Sequence, residues 1–305
     1  MLRHLLLPAL ALLAASCHAE TRPARQLPQG QPLCIGRYDL AVPQGARPVA
    51  RGQTIRHLRL RADPVPPGTT LDAAVAVASR PGLGSAEKAA GGRRTAIGPD
   101  TALLTRDWVD GIPVTDTAAV RLLPGLVLTA QGQHDEPAGV GAQRETAIAL
   151  VASAVPLGDP EAHRGFCIDG AAIGLPFRWQ EEASAGFAPP GGGHLSIQVS
   201  TIGDRPGRGL LDGAGGTLGR MAAMGVGTRT VRSGRRVLAG HAGEELVIAR
   251  TGRNEALLQW LFVGEPRSGT APRIEIRLEA RDVQDLDALL AEWDAMLGSL
   301  RRRAD

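Results

Sequence analysis

Aromatic side chains are scarce in this chain, at 3% of its 305 residues, so a folded core has to be assembled from Leu, Val, Ile and Ala. Lysine is nearly missing as well. Lys88 stands alone among 34 basic residues, and against 31 acidic residues the net charge is only +3. No basic run is interleaved with aromatics, which argues against a nucleic-acid partner. Histidines never occur at H-x-x-x-H or H-E-x-x-H spacing, and no G-x-S-x-G elbow is present. Zinc-protease and α/β-hydrolase chemistry therefore have no support. The three cysteines form no C-x-x-C pair, which removes a thioredoxin-like redox motif. What remains, 43% apolar and 21% charged residues, fits a folded body rather than a disordered one. The length suits one large domain or two ordinary ones.

The N-terminus supplies an address. Met1 to His4 form a short basic region and Leu5 to Ala15 an apolar one, too short for a spanning helix but suited to a signal peptide. Ser16-Cys17 follows, and small residues before a cysteine resemble a bacterial lipoprotein signal. That reading leaves Cys17 diacylated as the mature N-terminus and anchors the protein in a membrane. The alternative is ordinary cleavage after Ala19, through a poor A-x-A site at residues 17–19. Both readings export the chain. Cys34 and Cys167 then remain as an even pair in an oxidising compartment. A disulfide between them closes a loop of well over a hundred residues, worth about 4–5 kcal/mol in the chain-entropy model. The alternative is two buried thiols packed as small apolar groups.

These cysteines head similar segments, CIGRYDLAVP from Cys34 and CIDGAAIGLP from Cys167. The pattern suggests that the first half is a diverged version of the second. Residues 1–19 read as the signal and the Pro-containing 20–31 as a tether. Residues 32–158 and 165–305 read as two domains, separated by the breaker 156–165. In the first, TIRHLRL (54–60) reads as a strand. Leu71 to Ser79 reads as a helix capped by Thr70. Residues 81–94 read as a Gly/Ala loop, and Gln143 to Val155 as a helix. In the second, Leu195–Ser200 and Arg273–Arg281 alternate apolar and polar residues as half-buried strands. Residues 244–249 are strand-like, and 257–263 read as a covered central strand. A closing helix carries Leu286, Leu289, Leu290, Trp293 and Leu297 on one face, with Asp282 as its cap and Arg301, Arg302 and Arg303 at its end. The fold class is α+β: two domains, each a mainly antiparallel sheet with packed helices.

Chemistry-bearing patterns are few. His241-Ala-Gly-Glu244-Glu245 lacks the second histidine of a zinc motif, so no metal is expected. GAGGTLG (213–219) places its third glycine one position late for dinucleotide binding and reads as a loop entering a short helix, Leu218 to Met224. The pairs Glu181-Glu182 and Glu244-Glu245 sit on strands, where neighbours point to opposite faces, so neither forms an acid/base couple. Neither catalytic residues nor a cofactor are expected.

FCIDG (166–170), SGRRVLAGHAGEEL (233–246), LFVGEP (261–266), APRIEIRLEA (271–280), Trp293-Asp294 and Ser299-Leu300-Arg301 together resemble the C-terminal domain of the Tle cognate immunity family. Its members are envelope proteins of Gram-negative bacteria that neutralise lipase effectors delivered by type VI secretion. The resemblance covers residues 165–303, with the G-x-x-G-E-E element Gly240, Gly243, Glu244, Glu245 as its most specific part. CIGRYDLAVP extends it more weakly into the first half. The resemblance implies a periplasmic inhibitor of a phospholipase effector, acting by binding and blocking substrate access or lid opening. The Gly240–Glu245 element itself reads as a tight turn, with glycines supplying backbone freedom and glutamates capping local N–H groups. The alternative functions are a structural or assembly-related envelope lipoprotein with no effector partner, and an enzyme whose site carries no recognised motif.

Overall fold

Alternation of apolar and polar residues sets the two best-defined strands side by side. Leu195 and Ile197 stand opposite Leu278 and Ile276, all buried, while Ser196 and Arg277 between them lie on the other face and are partly exposed. In the computed structural model the described residues are 30–78, 92–110, 112–135, 137–158, 164–203, 207–212, 227–250 and 252–304. The first half opens with a hairpin, β1 (Gln31–Ile35) and β2 (Tyr38–Val42). It continues through β3 (Arg47–Ile55), β4 (Leu58–Pro64), helix α1 (Leu71–Ala78), β5 (Arg93–Ala96), β6 (Thr101–Asp110), β7 (Ile112–Leu123) and β8 (Leu126–His134). Helix α2 (Pro137–Ala152) and a short β9 (Ala154–Pro156) close it. The second half opens with another hairpin, β10 (Phe166–Ile168) and β11 (Ala171–Ile173). Its sheet strands are β12 (Glu181–Ala188), β13 (Gly193–Ser200), β14 (Thr228–Leu238), β15 (His241–Arg250), β16 (Glu255–Phe262) and β17 (Arg273–Ala280). Helix α3 (Leu286–Gly298) and a short β18 (Arg301–Arg302) end the described chain.

Twelve strands make one antiparallel sheet, ordered β14-β15-β16-β17-β13-β12-β3-β4-β8-β7-β6-β5. Outward from the central β12–β3 pair the order is the same in both directions: first, second, sixth, fifth, fourth and third strand of each half. Both halves also begin with a hairpin and end with a helix and a short strand. The halves thus repeat one plan about a pseudo-twofold axis through the β3–β12 pair. The short closing strands are exchanged. β9 pairs with β11 of the second hairpin, and β18 pairs with β2 of the first. Each three-stranded side sheet therefore draws on both halves of the chain.

One face of the large sheet carries the principal core, which takes in α2 through Ala147, Leu150 and Val151 and α3 through Leu290, Trp293, Met296 and Leu297. On the other face α1 packs Ala74 and Ala78 against Val120 and Val127, and Leu210 covers Leu246, Ile248 and Leu261. That second cover explains why β16 is apolar on both sides. Among the described residues no helix is long and apolar enough to cross a membrane.

Several sequence expectations change in detail. TIRHLRL is a hairpin, not a strand: Arg56 and His57 form a two-residue turn with positive φ (49° and 65°), and Ile55 pairs with Leu58. Helix α2 begins and ends earlier than Gln143 to Val155. Arg93 and Arg94 belong to β5 rather than to a loop, and Gln31 opens β1 rather than ending a tether. Thr70 caps α1 as expected, its Oγ1 accepting from the Ala73 N–H at 3.3 Å. The cap of α3 is Asp285, whose Oδ1 accepts from the Ala288 N–H at 2.9 Å. Asp282 lies before it with φ of 52°. Arg301 reaches the Gly298 carbonyl at the helix end, but Arg301 and Arg302 form β18 and Arg303 binds Asp39.

Candidate functional site

The two cysteine-headed segments meet. Each folds as a hairpin, with its cysteine next to the last residue of the first strand. Cys34 and Cys167 form a disulfide with their Cα atoms 5.8 Å apart, within the usual range for such bonds. The Cys167 N–H donates to the Gly36 carbonyl at 2.7 Å. The similarity of the segments thus reflects equivalent places in a duplicated fold, brought together across the pseudo-axis.

Further contacts cross the same seam. Arg37 binds Glu181 through Nε and Nη2, each at 2.8 Å, and both side chains are only 5% exposed. Arg37 also donates to the Leu175 carbonyl at 3.1 Å. This bidentate geometry is what a buried pair needs to offset desolvation. The adjacent Glu182 points the other way and accepts from Gln198 at 2.7 Å. Tyr38 Oη lies 2.9 Å from His241 Nε2, and the imidazole stacks on Phe262 with centroids 4.6 Å apart. Burial first, and then the charge of Arg302, hold the His241 pKa below its ordinary value.

Gly240, Gly243, Glu244 and Glu245 occupy the β14–β15 hairpin and the strand beyond it. Ala239 and Gly240 have φ of 48° and 84°, the signature of a type I′ turn. Gly243 has a different task. A Cβ there would lie 2.5 Å from Cε2 and Cζ2 of Trp260. The fully buried indole crosses the space above Gly243 and donates from Nε1 to the Arg236 carbonyl at 3.1 Å. Glu244 faces the opposite side of the sheet, where its Oε2 accepts from the Leu211 N–H at 2.9 Å.

Glu245 faces the helix. Its Oε1 accepts from Trp293 Nε1 at 2.8 Å and from Arg236 Nη1 at 3.0 Å. Arg236 Nη1 also reaches Asp294 Oδ1 at 2.6 Å, which Arg232 Nη1 contacts at 2.8 Å. Burial works to raise the Asp294 pKa, but hydrogen bonds from Arg232 and Arg236, with their charges, outweigh it and hold the carboxyl below its usual range. The glutamates therefore bind a distant backbone amide and a helix-borne indole, not the N–H groups of their own turn.

The Glu245 network joins two segments that carry the family resemblance, SGRRVLAGHAGEEL and Trp293-Asp294, and its work is to fix α3 on the sheet. Sequence reasoning does not single out Trp260, Trp293 or Arg37 as site residues. The signal pointing to the first two is the place of scarce aromatics at the family-like segments, Trp260 directly before LFVGEP and Trp293 within Trp293-Asp294. Cys17, the 213–219 loop and the helix Leu218 to Met224 lie outside the described residues, as do most of the tether and residues 159–163 of the 156–165 boundary. Among the described residues no three His, Cys, Asp or Glu side chains approach as a metal site.

Fold and network together define a duplicated, antiparallel α+β protein in which the clustered charged residues serve the scaffold. Residues 160–305 match the family described as Tle cognate immunity protein 4 C-terminal domain. No curated protein matches the chain. Three solved structures share the fold. The immunity protein TplEi of the type VI secretion system from Pseudomonas aeruginosa, complexed with an "L" peptide, is 21% identical. That match covers 90% of this chain and 98% of TplEi, with a TM-score of 0.70. The apo form of TplEi matches at 20% identity, 89% and 96% coverage and a TM-score of 0.70. The Tle4–Tli4 complex matches at 20% identity, 89% and 97% coverage and a TM-score of 0.72.

Proposed function

We propose that this chain is an immunity protein that binds a type VI secreted phospholipase effector in the periplasm and inhibits it by occlusion. The observation that carries the reading is the family match over residues 160–305. It is supported by a fold shared along about nine-tenths of the chain with TplEi and with a protein solved in the Tle4–Tli4 complex. Inhibition by binding requires surface complementarity and no chemistry of its own. An interface of about 2,000 Å² or more suits the affinity that protection demands.

Two finer parts belong to the same reading. Residues 32–158 and 165–305 act as two lobes that meet the lipase from two sides, with the seam around Cys34–Cys167 and Arg37–Glu181 keeping their spacing. Cys17 is lipidated and holds the inhibitor at the membrane surface where a phospholipase works. The reading predicts a toxic lipase gene beside the one for this chain, and co-expression of that candidate lipase in the periplasm of a host tests the core of the proposal. Survival with this protein, death without it and co-purification of a stable complex are the expected results. A toxic lipase that kills equally in both hosts overturns it.

A further inference from the structure

Among the described residues β14 is the last strand of the twelve-stranded sheet. It is 11 residues long, whereas the opposite edge, β5, has 4. The two-residue turn makes Leu238 and His241 a hydrogen-bonded pair, so Arg236 and Gly234 bond to β15 as well. Alternation then turns the N–H and C=O groups of Ser233, Arg235 and Val237 outward, away from the sheet. Edges of this kind are normally closed to pairing by bulges, charges or proline. Here the bulge lies upstream, between Thr230 and Arg232, and residues 232–238 keep register. Arg232 and Arg236 are drawn onto Asp294 on the helix-covered face. Arg235 and Val237 stand exposed on the other face, Val237 at 66%.

We propose that this edge accepts an extended segment of the lipase effector as an added strand. Its backbone pairs with Ser233–Val237, a carboxylate lies beside Arg235 and an apolar residue covers Val237. Arg235 supplies the charge complementarity, and the main-chain groups supply the directional bonds that characterise strand addition. The inference rests on the inhibition reading above.

The test uses the full chain and an inactivated form of the same candidate lipase. Amide hydrogen exchange across 232–238 is compared in free and bound protein, and affinity is measured for Ser233→Pro and Arg235→Glu. The Ser233 N–H is not used by β15, so proline removes an outward donor and leaves the ladder intact. Slowing of exchange at Ser233, Arg235 and Val237 by at least ten-fold on binding is expected, with affinity at least ten-fold weaker in both variants. Tight binding with these amides exchanging as fast as in the free protein overturns the inference alone. Absence of binding by the unaltered chain overturns the inhibition reading and this inference with it. Because the exchange measurement uses the unaltered chain, a variant that misfolds does not protect the proposal.

Discussion

Three glycines of one hairpin predict three different responses to the same added methyl group. At Gly243 the new Cβ meets Trp260 Cε2 and Cζ2 at 2.5 Å and Nε1 at 2.7 Å. The obstacle is a rigid indole, fully buried between β15 and β17. Gly243→Ala must therefore shift Trp260, at about 1–3 kcal/mol for overpacking. It also breaks the Nε1 bond to the Arg236 carbonyl, at about 1 kcal/mol. The expected loss is about 2–4 kcal/mol. At Gly240 nothing lies within 4 Å of the added methyl, but φ is 84°, so Gly240→Ala costs about 1–2 kcal/mol of left-handed strain alone. Gly234 has open space and no positive φ, and Gly234→Ala is neutral or stabilising by up to about 1 kcal/mol through the unfolded chain.

Urea unfolding followed by tryptophan fluorescence ranks the three midpoints. The mechanism at Gly243 has a second signature: Trp260→Phe replaces the indole by a smaller ring, so in that background Gly243→Ala should lose at least half of its cost. A cost below about 0.5 kcal/mol for Gly243→Ala, or one unchanged by Trp260→Phe, refutes the packing argument.

Replacing both Cys34 and Cys167 by serine releases a loop with a sequence separation of 133, and the chain-entropy model gives a loss of about 5 kcal/mol. Unfolding with and without reductant measures it, and indifference of the unaltered chain to reductant contradicts the staple. Glu245→Ala leaves the buried Trp293 Nε1 without its acceptor and Arg236 without one carboxylate, for a loss of about 2–4 kcal/mol. A near-native midpoint for that variant removes Glu245 from the group that holds α3. His241 has a depressed pKa in the folded state, so the unfolded chain takes up the proton first as pH falls. Stability contributed by neutral His241 is complete above the ordinary imidazole value, about 6.5, and declines below it toward the folded value. Unfolding midpoints between pH 5 and 8 should show this decline, and His241→Gln should flatten it.

What is legible in the sequence is mostly what repeats locally. Period two gives β13 and β17 their faces, and the spacing of Leu286, Leu290, Trp293 and Leu297 gives α3 its buried side. The β3–β4 hairpin is hidden because Arg56 and His57 hold positive φ without the Asn-Gly or Asp-Gly signal of such turns. Asp282 and Asp285 are chemically equivalent candidates for the cap, and only the position of the first helical N–H groups separates them. The exchanged strands β9 and β18, of 3 and 2 residues, are too short to carry a period at all. The duplication surfaces as a pair of similar ten-residue segments, but the strand order that establishes it depends on pairing partners far apart in the chain.

The placement of the motif bears on how partner choice is encoded. Arg236, Gly243, Glu245, Trp293 and Asp294 lie in the segments that resemble the immunity family matched over residues 160–305, and they are committed to one another across β14, β15 and α3. A side chain whose donors and acceptors are already used inside the scaffold has little left to offer a lipase. Selection for partner specificity must therefore act on other positions, such as the exposed edge residues Arg235 and Val237. Exchanging the internal network for that of a protein of the matched family should then alter stability and leave the choice of effector unchanged. Exchanging the outward residues of β14 should do the reverse. Unfolding midpoints and effector affinities, measured on the same two chimeras, separate the roles. If the internal exchange redirects binding while stability holds, the division between scaffold and recognition surface is wrong.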